Sequence, residues 1–224
     1  MELNDIVPWG RSFLEYKEIF SLTDSELKKK ILGCGDGPAC FNAELTASGG
    51  NVVSVDPVYQ FNEAQIRSRI DAVYPQVMAQ VSQNAADFVW QSIASVAELG
   101  KVRMQAMSLF LNDYTEGKAA QRYVEGALPE LPFADAEFDL ALCSHYLFLY
   151  SDHVSQENHL LSLLELCRVA KEVRIYPLIT LSGDVSKHLD PVISLLKKNN
   201  VKVSLQTVQY QFQKGATQML VARV

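Results

Sequence analysis

The fold of this chain is decided by the run ILGCGDGPA at residues 31–39, followed by VVSVDP at residues 52–57. Each run predicts a buried apolar strand; the first leads into a glycine-rich turn, and the second ends in the carboxylate of Asp56. A helix over 38–47 is expected between them. Asp56 follows Gly35 by about 20 positions, the spacing at which a carboxylate reaches the ribose hydroxyls of a nucleotide-type cofactor. The chain is therefore predicted to bind a ligand built on adenosine.

The glycines of the turn can be aligned in two registers. Gly33-x-Gly35-x-Gly37 matches the pattern G-x-G-x-G literally, whereas Gly35-x-Gly37-x-Ala39 gives the better spacing to Asp56. We favour the second register, which makes Gly33 the last residue of the strand. The alternative is a plain turn that uses glycine for close packing, but strand, turn, helix, strand and acid all occur in the required order.

Composition limits the classes of protein to consider. With 224 residues, 48% of them hydrophobic, the chain can form one large domain over residues 1–224. A net charge of −6 disfavours nucleic acid and anionic membranes as partners, so a small molecule is the expected one. No apolar run reaches about 18 residues, and residues 1–5 do not resemble a signal peptide. Four cysteines without a C-x-x-C pair are typical of a reducing cytoplasm.

The remaining pattern predicts an α/β, Rossmann-like fold with a mostly parallel seven-stranded sheet. A helical lead-in is expected over 1–29. The later strands are predicted at 122–126, 138–144, 172–178, 201–210 and 217–224, with helices at 157–170 and 185–199. The short turn at Lys214 and Gly215 allows only an antiparallel hairpin of the last two strands.

Residues 58–118 form an unusually long connection without a strand pattern, which predicts a helical insertion after the second strand. Three helical patterns are expected there, over 66–81, 88–97 and 104–111, with Pro75 breaking the first. The insertion could be a lid over a substrate, an interface in a homodimer, or a plain buttress on the sheet.

A third motif is the run LPFADAEFDL at residues 131–140, which leads into the predicted fourth strand. Together with 31–39, 52–56 and the closing hairpin, it makes the chain resemble the class I S-adenosylmethionine-dependent methyltransferases over 30–57 and 121–224. The resemblance implies S-adenosylmethionine as methyl donor and S-adenosylhomocysteine as product. It is nearly silent on the acceptor.

The resemblance implies roles for the residues that match its motifs. Those expected to bind the cofactor are Gly33, Gly35, Asp36, Gly37, Asp56, Pro57, Ala127, Leu128, Ser144 and His145. Asp56 would accept hydrogen bonds from both ribose hydroxyls, and Pro57 would flank the adenine. Gly33 and Ala127 stand where the family usually has acids, which could weaken cofactor binding, and Asp36 could partly replace the lost charge.

Two residues are candidates for catalysis. His145 and Tyr146 follow the fourth strand, at the edge where ligands bind in open α/β sheets, and either could act as a general base for a hydroxyl or amine nucleophile. A packing role is the alternative for His145. His153, His159 and His188 show no ligand-type spacing, so they are expected at the surface and no metal is predicted.

Aromatic and basic residues could complete the site. Arg11 and Tyr16 of the lead-in could fold over the cofactor. An aromatic wall over the substrate could be formed by Phe13, Tyr16, Phe148 and Tyr150, with core packing as the alternative.

Methyl transfer to a small-molecule acceptor is the predicted function. The alternatives are a cofactor-binding protein without catalysis, an NAD-dependent oxidoreductase, and a methyltransferase acting on protein or RNA. The closing hairpin argues against the dinucleotide fold, and the acidic charge argues against RNA.

Overall fold

A computed structural model describes residues 8–224, so the first seven residues of the predicted lead-in lie outside the described part. One sheet contains seven strands: β1 (Lys30–Cys34), β2 (Asn51–Val55), β3 (Tyr123–Val124), β4 (Phe138–Ser144), β5 (Ala170–Tyr176), β6 (Lys202–Thr207) and β7 (Gln218–Arg223). Their order is β3-β2-β1-β4-β5-β7-β6. Every neighbouring pair is parallel except those of β7, which runs antiparallel to both β5 and β6. The predicted mostly parallel sheet with an antiparallel closing pair is confirmed.

Six α-helices within residues 8–224 accompany the sheet: α1 (Phe13–Ile19), α2 (Phe41–Ala47), α3 (Glu63–Gln83), α4 (Val96–Ala119), α5 (Gln156–Val169) and α6 (Leu189–Lys198). Successive residues of β4 enter two different apolar clusters, as the alternation of side chains along a strand requires. Leu140 and Leu142 pack with α1 and α2, whereas Ala141 and Cys143 pack with α5 and α6. The sheet is thus buried on both faces, which explains its near-continuous apolar strands.

Strand β3 is shorter than the predicted 122–126. Its pairing partner β2 ends at Val55, and the backbone N–H of Asp56 makes the last contact, donating to the carbonyl of Val124 at 3.2 Å. Beyond Val124 no partner strand remains, so the chain leaves the sheet. Within β1, Gly33 is the penultimate residue, and Cys34, not Gly33, is the last.

The connection after β2 differs from the prediction, since it contains two long helices instead of three. The break expected at Pro75 is wrong, because α3 passes through it without interruption. Pro75 lies on the exposed face, where water can satisfy the carbonyl that loses its helical partner, while a buried stripe holds the helix in place. That stripe consists of Ile66, Ile70, Val73, Val77 and Val81.

The first part of the helix expected over 88–97 does not form either. Phe88 forms an antiparallel bridge with Gln213, and the N–H of Val89 donates to the carbonyl of Phe212 at 2.7 Å. These bonds to the β6–β7 connection replace helical ones, so α4 begins only at Val96 and absorbs the pattern predicted over 104–111.

The segment before α1 lies against the glycine turn. A Cβ added to Gly10 would lie 2.0 Å from the carbonyl oxygen of Pro38, so only glycine fits there. The N–H of Cys40 donates to the carbonyl of Arg11, which fixes that residue beside the turn. Within residues 8–224, no helix combines the length and apolarity needed to cross a membrane.

Candidate functional site

A cavity of about 610 Å³ opens at the carboxyl edge of the sheet. Of the residues predicted to bind the cofactor, all except Gly33 line it, and so does Tyr146. One part of the cavity surrounds the glycine turn and the end of β2. The other part, here called the apolar chamber, is lined by Val77, Val81, Phe88, Leu99, Leu149, Tyr150, Pro177, Leu181, Phe212 and Ala216. Both helices of the insertion therefore contribute to the wall of this chamber.

The backbone of the glycine turn requires all three glycines. Gly35 and Gly37 have φ of +70° and +52°, in the left-handed region that favours glycine. A Cβ added to Gly33 would lie 1.8 Å from the Asp36 carboxylate. Ala39, by contrast, is a buried residue whose Cβ is accommodated. The literal register Gly33-x-Gly35-x-Gly37 therefore describes this turn, and the register favoured from the spacing is wrong.

The corrected register changes one departure from the family pattern. If Gly33 is the first glycine of the motif, the position two residues before it is Ile31, which is fully buried in β1. In this register, position 33 is therefore not the one at which the family usually has an acid. The residue without a carboxylate is Ile31, and the acid nearest to the turn is Asp36.

Asp56 connects the end of β2 to the glycine turn. Its Oδ2 accepts a hydrogen bond from the N–H of Gly37 at 2.9 Å, and its Oδ1 accepts one from the N–H of Val58 at 2.8 Å. Burial raises the pKa of this carboxyl to about 6, while the two N–H donors act in the opposite direction. Because each oxygen of a carboxylate can accept two hydrogen bonds, the group still has acceptor capacity toward the cavity.

Asp36 is turned back toward the protein interior. The hydroxyl of Tyr16 donates to its Oδ1 at 2.7 Å, and the hydroxyl of Ser54 donates to its Oδ2 at 2.7 Å. Burial raises the pKa of the Asp36 carboxyl to about 6 against these two hydrogen bonds. Tyr16 thus reaches the cavity as predicted, but its hydroxyl is engaged in holding Asp36.

The predicted aromatic wall is only partly present. Tyr16 and Tyr150 line the cavity, whereas Phe13 and Phe148 do not. Phe13 packs on Phe41 with ring centroids 5.6 Å apart, and Phe148 is fully buried under the loop that follows β4. For these two residues the alternative of core packing is the correct one.

His145 has an unusual backbone conformation, with φ of +53°, and its N–H donates to the carbonyl of Tyr176 at 2.7 Å. Its Nδ1 accepts a hydrogen bond from Nε of Arg11 at 2.8 Å, and the hydroxyl of Ser144 lies equally close. A neutral imidazole that accepts at Nδ1 has its proton on Nε2. Burial, together with the charge of Arg11, lowers the pKa of His145 well below 6.5, so the ring is neutral at neutral pH.

This arrangement makes His145 a donor through Nε2 and a poor general base, because its lone pair is already used. Tyr146 packs against Gly35, where an added Cβ would lie 3.2 Å from its side chain. Burial raises the pKa of Tyr146 to about 12, so its phenol also keeps its proton at neutral pH. Neither candidate is prepared to remove a proton from an acceptor.

A buried ionic cluster behind the cavity was not found by sequence reasoning. Glu15 accepts hydrogen bonds from Nη1 and Nη2 of Arg103, which is fully buried, and from the hydroxyl of Tyr210 at 2.6 Å. Arg11 is the fourth member, with Nη1 3.5 Å from Glu15 Oε1. These residues come from the segment before α1, from α1, from α4 and from the β6–β7 connection, so no local pattern could have shown that they meet.

The prediction that His159 and His188 lie at the surface is wrong, whereas His153 is exposed. The two buried rings lie 4.5 Å apart. Nε2 of His159 contacts the carbonyl of Leu147 at 3.1 Å, and Nε2 of His188 contacts that of Ser151 at 3.2 Å. They bind carbonyl groups of the loop after β4, and that of Leu147 also accepts from the N–H of Tyr150 at 3.3 Å.

Residues 8–224 contain scattered side chains of the types that bind metals. No group of three or more His, Cys, Asp or Glu side chains there could hold a metal ion. The four cysteines form no disulfide.

Comparison with known proteins places the chain in a family. No protein-family model matches it. Over 227 aligned residues it is 30% identical to the uncharacterized protein MJ0045 of Methanocaldococcus jannaschii, and the match covers 100% of this chain and 98% of that protein. The chain belongs to the family of this archaeal protein.

Solved structures with a TM-score of 0.50 include PH0226 protein from Pyrococcus horikoshii OT3 and the mitomycin 7-O-methyltransferase MmcR. PH0226 is 14% identical, and the match covers 94% of this chain and 88% of that chain. MmcR is 13% identical, and the match covers 95% of this chain but 54% of that chain. At such identity the likeness shows the fold alone, a Rossmann-like fold that the mitomycin 7-O-methyltransferase also has. The fold implied by the sequence motifs is confirmed.

Proposed function

We propose that the chain transfers a methyl group from S-adenosylmethionine to a small, largely apolar acceptor. The observation that carries this proposal is the Asp56 carboxylate, held against the glycine turn and facing a cavity at the carboxyl edge of the sheet. Ligands of open α/β sheets bind at that edge, and a carboxylate after the second strand suits ribose hydroxyls. Asp56 is thus placed where it could accept hydrogen bonds from the ribose of the proposed cofactor.

The residues present fit such a cofactor. The left-handed glycines leave backbone groups uncovered by side chains, so that a ligand can approach the turn closely. Pro57, Val58 and Leu128 offer apolar contacts to an adenine ring beyond Asp56. A cavity of about 610 Å³ lies in the range of small-molecule sites, and the apolar chamber extends it past the glycine turn. When bound, the cofactor supplies the methyl group on a sulfonium.

The chain itself contributes position and exclusion of water. The apolar chamber would hold the acceptor beside the end of β4 and keep water from the reacting atoms. His145 and Tyr146 remain our candidates for contact with the reacting groups, as hydrogen-bond donors instead of bases. Among the described residues of the cavity wall, we find no base poised for the acceptor, so the acceptor must be nucleophilic when it enters.

Calorimetric titration with S-adenosylmethionine, S-adenosylhomocysteine and NAD tests the proposal. We expect micromolar binding of the first two, loss of binding in Asp56→Ala, and unchanged binding in Asp190→Asn, which alters an exposed aspartate of α6. Binding of NAD alone would refute the proposal in favour of an oxidoreductase. Cofactor binding without turnover on a panel of small acceptors would favour a cofactor-binding protein.

The remaining predictions about partners and location stay proposals. A small acceptor is supported by the apolar chamber, whose lining residues come from α3, α4 and several loops. Formation of a homodimer through α3 and α4 is tested by light scattering of the purified chain, with a mass near 25 kDa counting against it. A cytoplasmic location is supported by four cysteines without a disulfide.

A further inference from the structure

The buried cluster behind the cavity carries an excess of positive charge. Arg103 uses two nitrogens on the two oxygens of Glu15, and Tyr210 donates a further hydrogen bond to the same carboxylate. Arg11 approaches Glu15 no closer than 3.5 Å. Two guanidinium groups, which stay charged in proteins, thus share one carboxylate. The cluster keeps about one uncompensated positive charge in a region shielded from water.

The surplus charge is presented to the cavity. Arg11 lines the cavity wall, and its side chain is 13% exposed. Its Nε is used on His145, and Nη1 is buried beside Glu15, where it makes no hydrogen bond with any described residue. His145, which also lines the cavity, carries its proton on Nε2, and no residue of the described chain accepts from that nitrogen. The cavity therefore meets the positive charge of Arg11 and, beside it, one N–H donor of His145 that the protein does not satisfy.

A carboxylate is the ligand that suits this pair. A planar guanidinium binds a carboxylate with matched geometry and opposite charge, and a neighbouring imidazole N–H adds a second direction of hydrogen bonding. A cationic amine would be repelled by the surplus charge. From this geometry we propose that Arg11 and His145 form a carboxylate-binding site within the cavity.

Two molecules could bring that carboxylate. His145 follows β4, which lies in the sheet between β1, followed by the glycine turn, and β5, followed by Pro177 of the apolar chamber, so the group could belong to the amino-acid part of the cofactor or to an apolar acid that serves as acceptor. The recognising chemistry is the same in both cases. The identity of the first source, the cofactor, rests on the proposed function. The two experiments below distinguish the cofactor from the acceptor as the source of the carboxylate.

The first experiment compares S-adenosylmethionine with decarboxylated S-adenosylmethionine, which differs only by the carboxylate. If the cofactor is the source, wild-type protein binds the intact compound at least tenfold more tightly. In Arg11→Met this preference falls below threefold while binding of the decarboxylated compound stays unchanged. Arg11→Lys keeps the positive charge but lacks the planar guanidinium, so it should give an intermediate preference for the intact compound.

The second experiment titrates protein saturated with S-adenosylhomocysteine with 2-naphthoate and with 2-naphthamide. If the acceptor is the source, the naphthoate binds at least tenfold more tightly than the neutral amide, and Arg11→Met removes the difference. Arg69→Met is the matched control, since it removes an exposed arginine from another part of the cavity wall. The control should keep whichever preference the wild-type protein shows.

His145→Asn provides a second variant in case Arg11→Met fails to fold, because asparagine tolerates the left-handed backbone at this position. It should reduce the same preference at least threefold, with an unchanged circular dichroism spectrum. The proposal is overturned if neither preference exists, if both survive in folded Arg11 and His145 variants, or if Arg69→Met abolishes them. Arg11-dependent binding of naphthoate by protein that binds no S-adenosyl compound, tested without S-adenosylhomocysteine, would refute the proposed function and leave this site standing.

Discussion

Replacing Glu15 by glutamine tests whether the buried ionic cluster holds the lead-in against the rest of the protein. The substitution keeps the size of the side chain and removes the charge that Arg11 and Arg103 share. Removing one partner of a buried ion pair costs about 3–5 kcal/mol, because the other charge stays buried without compensation. Here two guanidinium groups lose the same partner, so we expect Glu15→Gln to reach the upper part of that range.

Urea unfolding followed by circular dichroism measures this loss. For slopes of about 2–3 kcal/mol per molar urea, the midpoint should fall by at least 1 M, a large part of the stability of an ordinary domain. Glu18→Gln is the matched control on the exposed face of the same helix and should change the free energy of unfolding by less than about 0.5 kcal/mol. Equal effects of the two variants would refute the reasoning.

The dependence on pH provides a second check. Burial alone would raise the pKa of Glu15, but the charge and hydrogen bonds of Arg103 outweigh it and hold the pKa well below the ordinary value of 4.5. A carboxyl with a lowered pKa in the folded state contributes its full stability above the unfolded value and loses it as the pH falls toward the folded one. The difference between wild type and Glu15→Gln should be constant from pH 7 to 5.5 and shrink below about pH 4.5. A difference that grows on acidification would contradict the assignment.

Three further predictions concern residues that line the cavity. Affinity for S-adenosylhomocysteine, measured by calorimetry, should fall toward tenfold per unit below pH 6 as Asp56 is protonated, and Asp56→Asn should remove most of this slope. An alanine in the left-handed backbone region costs about 1–2 kcal/mol. In urea unfolding, Gly35→Ala should lower the free energy of unfolding by more than this amount, whereas Gly49→Ala, where an added Cβ meets nothing within 4 Å, should show the backbone cost alone. Phe212→Ala should cost about 3–5 kcal/mol and speed hydrogen exchange over residues 85–95, unlike Phe61→Ala, whose side chain is 43% exposed.

Local signals sufficed for the elements next to the glycine turn. Strand β4 was predicted to the residue, because its continuous apolar run ends at a polar residue, and the predicted end of β1 differs by one residue from the observed one. The helix expected over 88–97 failed because hydrophobic spacing contains no information about the pairing of Phe88 with Gln213, more than 100 residues away. The break expected at Pro75 failed because tertiary packing of a buried stripe overrode the local cost of proline.

The same division separates the parts of the candidate site. Gly35, Gly37 and Asp56 act through backbone geometry and strand order, both of which leave a spacing in the sequence. The role of Asp36 and the correct glycine register depend on where one side chain points, since the carboxylate occupies the space above Gly33. Such contacts leave no periodic trace, and neither does a cluster that joins residues 15, 103 and 210.

The state of the polar groups around the cavity restricts the chemistry it could support. The lone pair of His145 is used by Arg11, the phenol of Tyr146 keeps its proton, and Asp36 is held by Tyr16 and a serine hydroxyl. A neutral alcohol or a protonated amine would find no base at such a site. A carboxylate acceptor would need none, because it is already a nucleophile at neutral pH. The proposed cofactor would supply the methyl group, and the apolar chamber would favour the reaction of an anion with a cation to neutral products, because it solvates separate charges poorly.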